Sequence, residues 1–177
     1  MSLKAQNNKL ADAHVQIDII QNGQTGDHFM TPFQQQLEQS DLYPLRPTEI
    51  EIFQVNIGKM CNQTCKHCHV DAGPDRKEIM TKDIMQQCLH ALSIDASITT
   101  VDITGGAPEL HPHFRWFVNE VKKLQKHIIV RCNLTIILAN KKYHDLPEFY
   151  KNNNIEVISS LPFYTQDRTD RQRGQGV

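Results

Sequence analysis

The sequence lacks most of the features that would place it in a common functional class. No apolar run approaches the roughly 18 residues a membrane-spanning helix needs, and residues 1–20 lack the ~7–15-residue apolar centre of a signal peptide. Positive charge is not in excess: 19 Lys and Arg stand against 20 Asp and Glu, which leaves no electrostatic footprint for nucleic acid. Neither a membrane nor a nucleic acid is therefore expected as a partner. Cysteine is scarce, five residues in 177, and an odd number with three in one loop does not make a disulfide framework. A cytoplasmic, reducing location suits such a chain best. Without a secretory signal, the strings Asn62-Gln63-Thr64 and Asn133-Leu134-Thr135 carry no glycosylation reading. The length is that of one domain of about 100–200 residues.

The scarce cysteines are concentrated. Cys61, Cys65 and Cys68 stand at C-x3-C-x2-C spacing, separated only by Asn62, Gln63, Thr64, Lys66 and His67. A core cysteine sits among apolar neighbours because it behaves as a small hydrophobe; these neighbours prefer water or a ligand. Three adjacent thiolates repel one another unless a cation neutralises them, so the loop reads as a metal centre. Three centres remain open on spacing alone. With His69 the loop could form a Cys3His zinc site. Cys65-Lys66-His67-Cys68-His69 also spells the C-x-x-C-H haem string, although covalent haem needs export in bacteria. The third is an iron–sulfur cube on three cysteines, with one iron open. The remaining cysteines are remote, and Cys88 falls on an apolar helix stripe.

C-x3-C-x2-C after a predicted strand resembles the radical SAM superfamily, in which S-adenosylmethionine (SAM) chelates the open iron. The longer run from Gly58 to Arg76, GKMCNQTCKHCHVDAGPDR, resembles the radical SAM/Cys-rich domain family associated with arsenosugar biosynthesis (the ArsS type). The resemblance continues through Thr104-Gly105-Gly106-Ala107-Pro108-Glu109-Leu110, Pro112-His113-Phe114-Arg115-Trp116 and Arg131-Cys132-Asn133-Leu134-Thr135-Ile136, covering the chain from about Leu45 onward.

The chain divides into a lead segment, 1–45, and a core, 46–177. The lead is polar and broken by Gly23 and Gly26; Pro32 to Gln39 predicts a short helix, and Pro44 and Pro47 an extended approach. Strands are predicted at Glu49–Ile57, Ile98–Thr104, His127–Val130 and Ile155–Ser159. Helices are predicted after the N-cap Thr81, after Pro112 and at Leu146–Tyr150. Trp116 falls at the edge of the second helix's apolar stripe. This repeated strand–loop–helix order predicts an α/β fold of parallel βα units. Its functional loops gather at the carboxyl ends of the strands, and there the cysteine loop, Gly105-Gly106 and Cys132-Asn133 share one rim.

The resemblance implies a partial radical SAM TIM-like barrel, about four of six units, truncated at the carboxyl end before a cysteine-rich tail. Four strands predict an open edge, an exposed sheet face and poor solubility. It implies that Cys61, Cys65 and Cys68 each bind one iron of a [4Fe–4S] cluster. SAM would be held by Gly105 and Gly106 at its amino group, and by Asn133 and Ser160 at ribose or carboxylate. His67 would lie near the cluster and adenine. Ala107 stands where the superfamily often has Glu, so its contact would be through the backbone. A further implication is an electron from a donor such as flavodoxin or ferredoxin, a 5′-deoxyadenosyl radical, and a small-molecule substrate such as a methylated arsenical. Phe163 departs from the cysteine that the family has there. The alternatives are a radical SAM enzyme modifying a peptide or another small molecule, and a non-catalytic zinc module.

Overall fold

The computed structural model describes residues 4–22, 33–46, 48–161 and 163–174; Gly23, Gly26, Pro32 and Pro47 lie outside them. Four strands, β1 (Ile52–Asn56), β2 (Thr100–Thr104), β3 (His127–Arg131) and β4 (Ile155–Ile158), run parallel in the order β1-β2-β3-β4. Between them come α3 (Lys82–Ile94), α4 (Phe114–Lys123), α5 (Thr135–Ala139) and α6 (Leu146–Asn153). Ahead of the sheet lie α1 (Ala13–Asn22) and α2 (Phe33–Gln39), and after it α7 (Gln166–Arg173). The expected α/β order of parallel βα units is present.

Successive strand residues face opposite ways, and the register sorts the two faces. Phe53 and Val55 align with Val101 and Ile103, and these with Ile128 and Val130. They form one apolar core with Met85 and Leu92 of α3 and Phe114, Phe117, Val118 and Val121 of α4. Each fully buried Phe or Leu contributes about 1.5–3 kcal/mol, so this face holds the helices to the sheet. Cys88 packs against the same core, as does Trp116 at its edge. The N-cap expected at Thr81 is present, its side chain accepting from the Ile84 amide at 3.3 Å.

The other face carries Gln54, Asp102, Ile129 and Glu156 in one row. Asp102 is held by Gln54 Nε2 at 2.6 Å and by Arg131, whose Nε donates to Oδ1 at 3.0 Å and Nη2 to Oδ2 at 2.7 Å. The open sheet face thus carries an ion-paired polar row, and the exposed aliphatics of the sheet, Ile52, Val157 and Ile158, lie on its edge strands. The Asp102 side chain is 4% exposed. Burial raises its pKa, but the Arg131 and Gln54 hydrogen bonds outweigh this and leave it below the usual carboxylate value. A depressed folded-state pKa means stability present above the unfolded value near 4 and lost as pH falls through the folded one. Asp102→Asn should therefore cost about 2–3 kcal/mol at neutral pH. Urea melts at pH 7 and pH 3 should show the difference shrinking in acid.

Three helices were not expected. In α1, Asp12 Oδ1 accepts from the His14 and Val15 amides at 2.7 and 3.4 Å, capping a start within a polar stretch. In α5 the apolar residues Ile136, Ile137 and Leu138 show no periodicity, and Ile136 alone is buried. In α7 the sequence QDRTDRQR has no apolar face at all. It is held by contacts: Thr169 Oγ1 donates to the Phe163 carbonyl at 3.0 Å, and the Gln172 carbonyl accepts from the Lys66 amide at 2.8 Å.

Candidate metal and cofactor site

The site starts where β1 ends. Asn56 Oδ1 accepts from the Gly58 amide at 3.0 Å and turns the chain out of the sheet. Residues 58–60 then lie between two other backbones. On one side Lys59 N donates to Glu78 O at 2.9 Å and Cys61 N to Gly73 O at 3.1 Å. On the other, Gly106 N donates to Gly58 O at 2.9 Å and Ala107 N to Met60 O at 2.8 Å. The approach is close enough that a Cβ on Gly106 would drive onto the Met60 carbonyl oxygen and sit 2.8 Å from that of Lys59; one on Gly105 would sit 2.7 Å from Gly58 O. The two glycines therefore let the β2 loop pack against the backbone leading into the cysteines. The amides of Gly106 and Ala107 are spent on that packing.

The loop closes at Arg76, whose side chain is 3% exposed. Its Nη1 donates to the Asp71 carbonyl at 2.8 Å and to Asp71 Oδ2 at 2.6 Å, while Nη2 reaches Glu78 at 2.8 Å. Lys4 joins the same group, through its amide to Asp71 and its Nζ to Glu78. The Arg76 hydrogen bonds hold the Glu78 carboxyl well below the usual carboxylate range.

Cys61, Cys65 and Cys68 line one cavity of about 90 Å³ with Gln63, Ala72, Gly106, Asn133 and Arg173. All three are free thiols. Cys61 Sγ receives the Gln63 amide at 3.4 Å and Asn133 Nδ2 at 3.3 Å; Cys68 Sγ receives the Ala72 amide at 3.3 Å. Burial pushes the Cys61 thiol up, and Cys65 and Cys68 add to the shift against the two hydrogen bonds. Burial also raises Cys65, with the Arg173 charge opposing it. Three thiols that share one cavity need a bound cation to become thiolates together.

The donor set can be tested against the open alternatives. A zinc ion needs its donors within about 2.0–2.3 Å of one point. Among the described residues no three His, Cys, Asp or Glu side chains converge in that way, and His69 is exposed. Three cysteines on one cavity, with hydrogen-bond donors already placed on two sulfurs, are a donor set of the kind an iron–sulfur cluster takes.

The other expected site residues divide. Gly106 and Asn133 line the cavity, whereas Gly105, Ala107, His67 and Ser160 do not. His67 and Ser160 are exposed; Ser160 takes part through its carbonyl, which accepts from Arg173 Nη2. Glu109 is buried and accepts from the Tyr150 hydroxyl at 2.6 Å. Cys132 is buried in the core beside this pair, and burial pushes its thiol up, with Glu109 adding. Two residues of the site were missed, Gln63 and Arg173. Both are more than nine-tenths buried, and Gln63 Nε2 and Arg173 Nε lack partners among the described residues. The available signal was Gly174, a helix-ending glycine at φ 102° that places Arg173 in the last turn of α7.

No family model matches the chain. The antilisterial bacteriocin subtilosin biosynthesis protein AlbA of Bacillus subtilis is 29% identical over 99 residues, covering 56% of this chain and 21% of AlbA. Streptococcus suis SuiB bound to S-adenosylmethionine superposes with a TM-score of 0.58 at 11% identity, over 92% of this chain and 38% of SuiB. SuiB bound to its precursor peptide SuiA gives 0.58 at 12%, over 98% and 40%. The chain thus spans about a fifth of the curated relative and about two fifths of the solved neighbours. Among the described residues no helix is long and apolar enough to cross a membrane. With the cysteine triplet following the first of four parallel βα strands, the likeness to SuiB gives the chain the fold of a partial radical SAM barrel.

Proposed function

We propose that this chain is a radical SAM enzyme, or part of one, carrying a [4Fe–4S] cluster on Cys61, Cys65 and Cys68. Cys61, Cys65 and Cys68 would hold the cluster, which when bound would supply one-electron reductive cleavage of SAM. The single observation that carries this reading is the shared cavity: three free thiols facing the buried Arg173 and Gln63, whose Nε and Nε2 lack partners among the described residues. Arg173 opposes the accumulated negative charge of the thiolates and supplies a donor for the methionine carboxylate. Gln63 offers a second donor, and Gly106 leaves the wall without a side chain. Arg173→Met should weaken SAM binding about 10–100-fold, the loss expected when a charged hydrogen bond disappears from a buried site. Iron content should be unchanged, and equilibrium dialysis with labelled SAM reads the difference.

For the substrate, a peptide is the better supported class. The AlbA relative serves bacteriocin biosynthesis and the SuiB neighbour binds a precursor peptide. A second reading, a methylated arsenical, rests on the ArsS-like run from Gly58 to Arg76. The test is anaerobic reconstitution followed by SAM and a chemical reductant. About four irons and four sulfides per chain, with methionine and 5′-deoxyadenosine in equal amounts, are expected. Stoichiometric zinc without sulfide would overturn the proposal. Adding dimethylarsinous acid or a panel of candidate precursor peptides, then searching by mass spectrometry for an adenosylated arsenical or a modified peptide, separates the two substrate classes.

A further inference from the structure

We infer that Asn133 is a side-chain hydrogen-bond donor to the Cys61 ligand and sets the reduction potential of the cluster; this rests on the cluster reading above. Asn133 Nδ2 lies 3.3 Å from Cys61 Sγ, across 72 positions of sequence. The orientation of its amide is fixed by its neighbours. Oδ1 accepts from the Ile136 amide at 3.2 Å and from Thr135 Oγ1 at 2.9 Å. A backbone N–H can only donate, so the oxygen must face Ile136 and the NH2 must face the sulfur. The second amide hydrogen goes to Asn62 Oδ1 at 3.1 Å, and Asn62 Nδ2 donates to Thr135 Oγ1 at 3.0 Å. Asn62, Thr135 and Asn133 thereby close a ring that holds the donor against Cys61. The two Asn-x-Thr strings left without a role by the sequence meet here.

The donors are unevenly shared. Cys61 receives two, Cys68 one, and Cys65 accepts none among the described residues, its thiol instead 3.8 Å from Gln63 Oε1. The Gln63 and Ala72 donors are backbone amides that come with any loop of this shape. Asn133 is a side chain and can be changed. A hydrogen bond to a cluster thiolate withdraws electron density and stabilises the more negative reduced state, so it raises the potential. Its loss makes the cluster harder to reduce.

The test is a redox titration of the full chain, reconstituted anaerobically and followed by electron paramagnetic resonance of the reduced cluster. Iron and sulfide are measured first. Asn133→Leu is expected to keep both and shift the midpoint to a more negative potential. Asn133→Asp keeps the oxygen that accepts from Ile136, so it preserves the local fold if the leucine variant does not; at about pH 8, where the carboxylate is ionised, its shift should be larger. Thr135→Val, which loosens the ring without removing the donor, should move the potential the same way by less. A midpoint equal to wild type in an Asn133 variant of full iron content would overturn the inference. Wild-type protein that takes up no iron and sulfide overturns the cluster reading itself, a result seen before any variant is compared.

Discussion

Cys65→Ala should abolish the cluster and reduce SAM cleavage at least about a thousand-fold, the scale of losing one member of a unit that acts together. No other thiol can take its place. Cys88 and Cys132 belong to the hydrophobic core between sheet and helices, and Cys132 is buried. A third corner left open would expose an iron to water beside Cys61 and Cys68, and a two-cysteine site does not hold a cube of this kind. The informative comparison is His69→Ala. The imidazole is exposed and does not line the cavity, so iron, sulfide and 5′-deoxyadenosine yield should stay at wild-type levels. A Cys3His zinc site would predict the reverse, with both variants losing metal together. Metal analysis of the two proteins side by side decides between them.

Gly106→Ala should be the second most damaging change, though it touches no ligand. The added methyl meets backbone on both near sides, the Met60 and Lys59 carbonyl oxygens, and backbone cannot rotate away as a side chain can. Relief requires separating the β2 loop from residues 58–60, which breaks the Gly106–Gly58 and Ala107–Met60 hydrogen bonds. Overpacking of this kind costs about 3 kcal/mol, or about 6–12 °C in Tm for a chain of this size. Because Met60 leads directly into Cys61, the same displacement moves the first cysteine, and cluster occupancy should fall with stability. Gly58→Ala is the control. Its methyl would lie 3.1 Å from Glu78 O and 3.5 Å or more from everything else, a tightness that a small shift relieves. Thermal melts with iron analysis should rank Gly106→Ala well below Gly58→Ala. Equal melting temperatures would show that the close approach does not hold the loop.

Much of this was legible from residue order. All the strands fall where expected, although β1 and β2 start three and two residues later than the expected ranges, and Thr81 caps α3 as its position predicted, because alternation and capping are local properties read along the chain. Gly105-Gly106 was legible as a pair but not in its purpose. The spacing shows absent side chains; it does not show that the neighbour they admit is the backbone of residues 58–60 rather than a ligand. Arg173 was invisible for a different reason. Its helix has no apolar face, and its hold on the site comes from a carbonyl and a cavity contributed by distant segments.

The sequence by itself pointed to a metal centre without fixing which, since three cysteines fall within eight residues among polar spacers. It also determined the βα order, since period-two and helical apolar patterns are written within single elements. Only the tertiary structure decided what surrounds the thiols. Asn133 reaches Cys61 across 72 positions, and Arg173 lies more than a hundred positions beyond the loop it faces. Their roles depend on parallel strands delivering separate loops to one rim, where a hydrogen bond of about 3.3 Å is made or missed by the packing of the whole sheet.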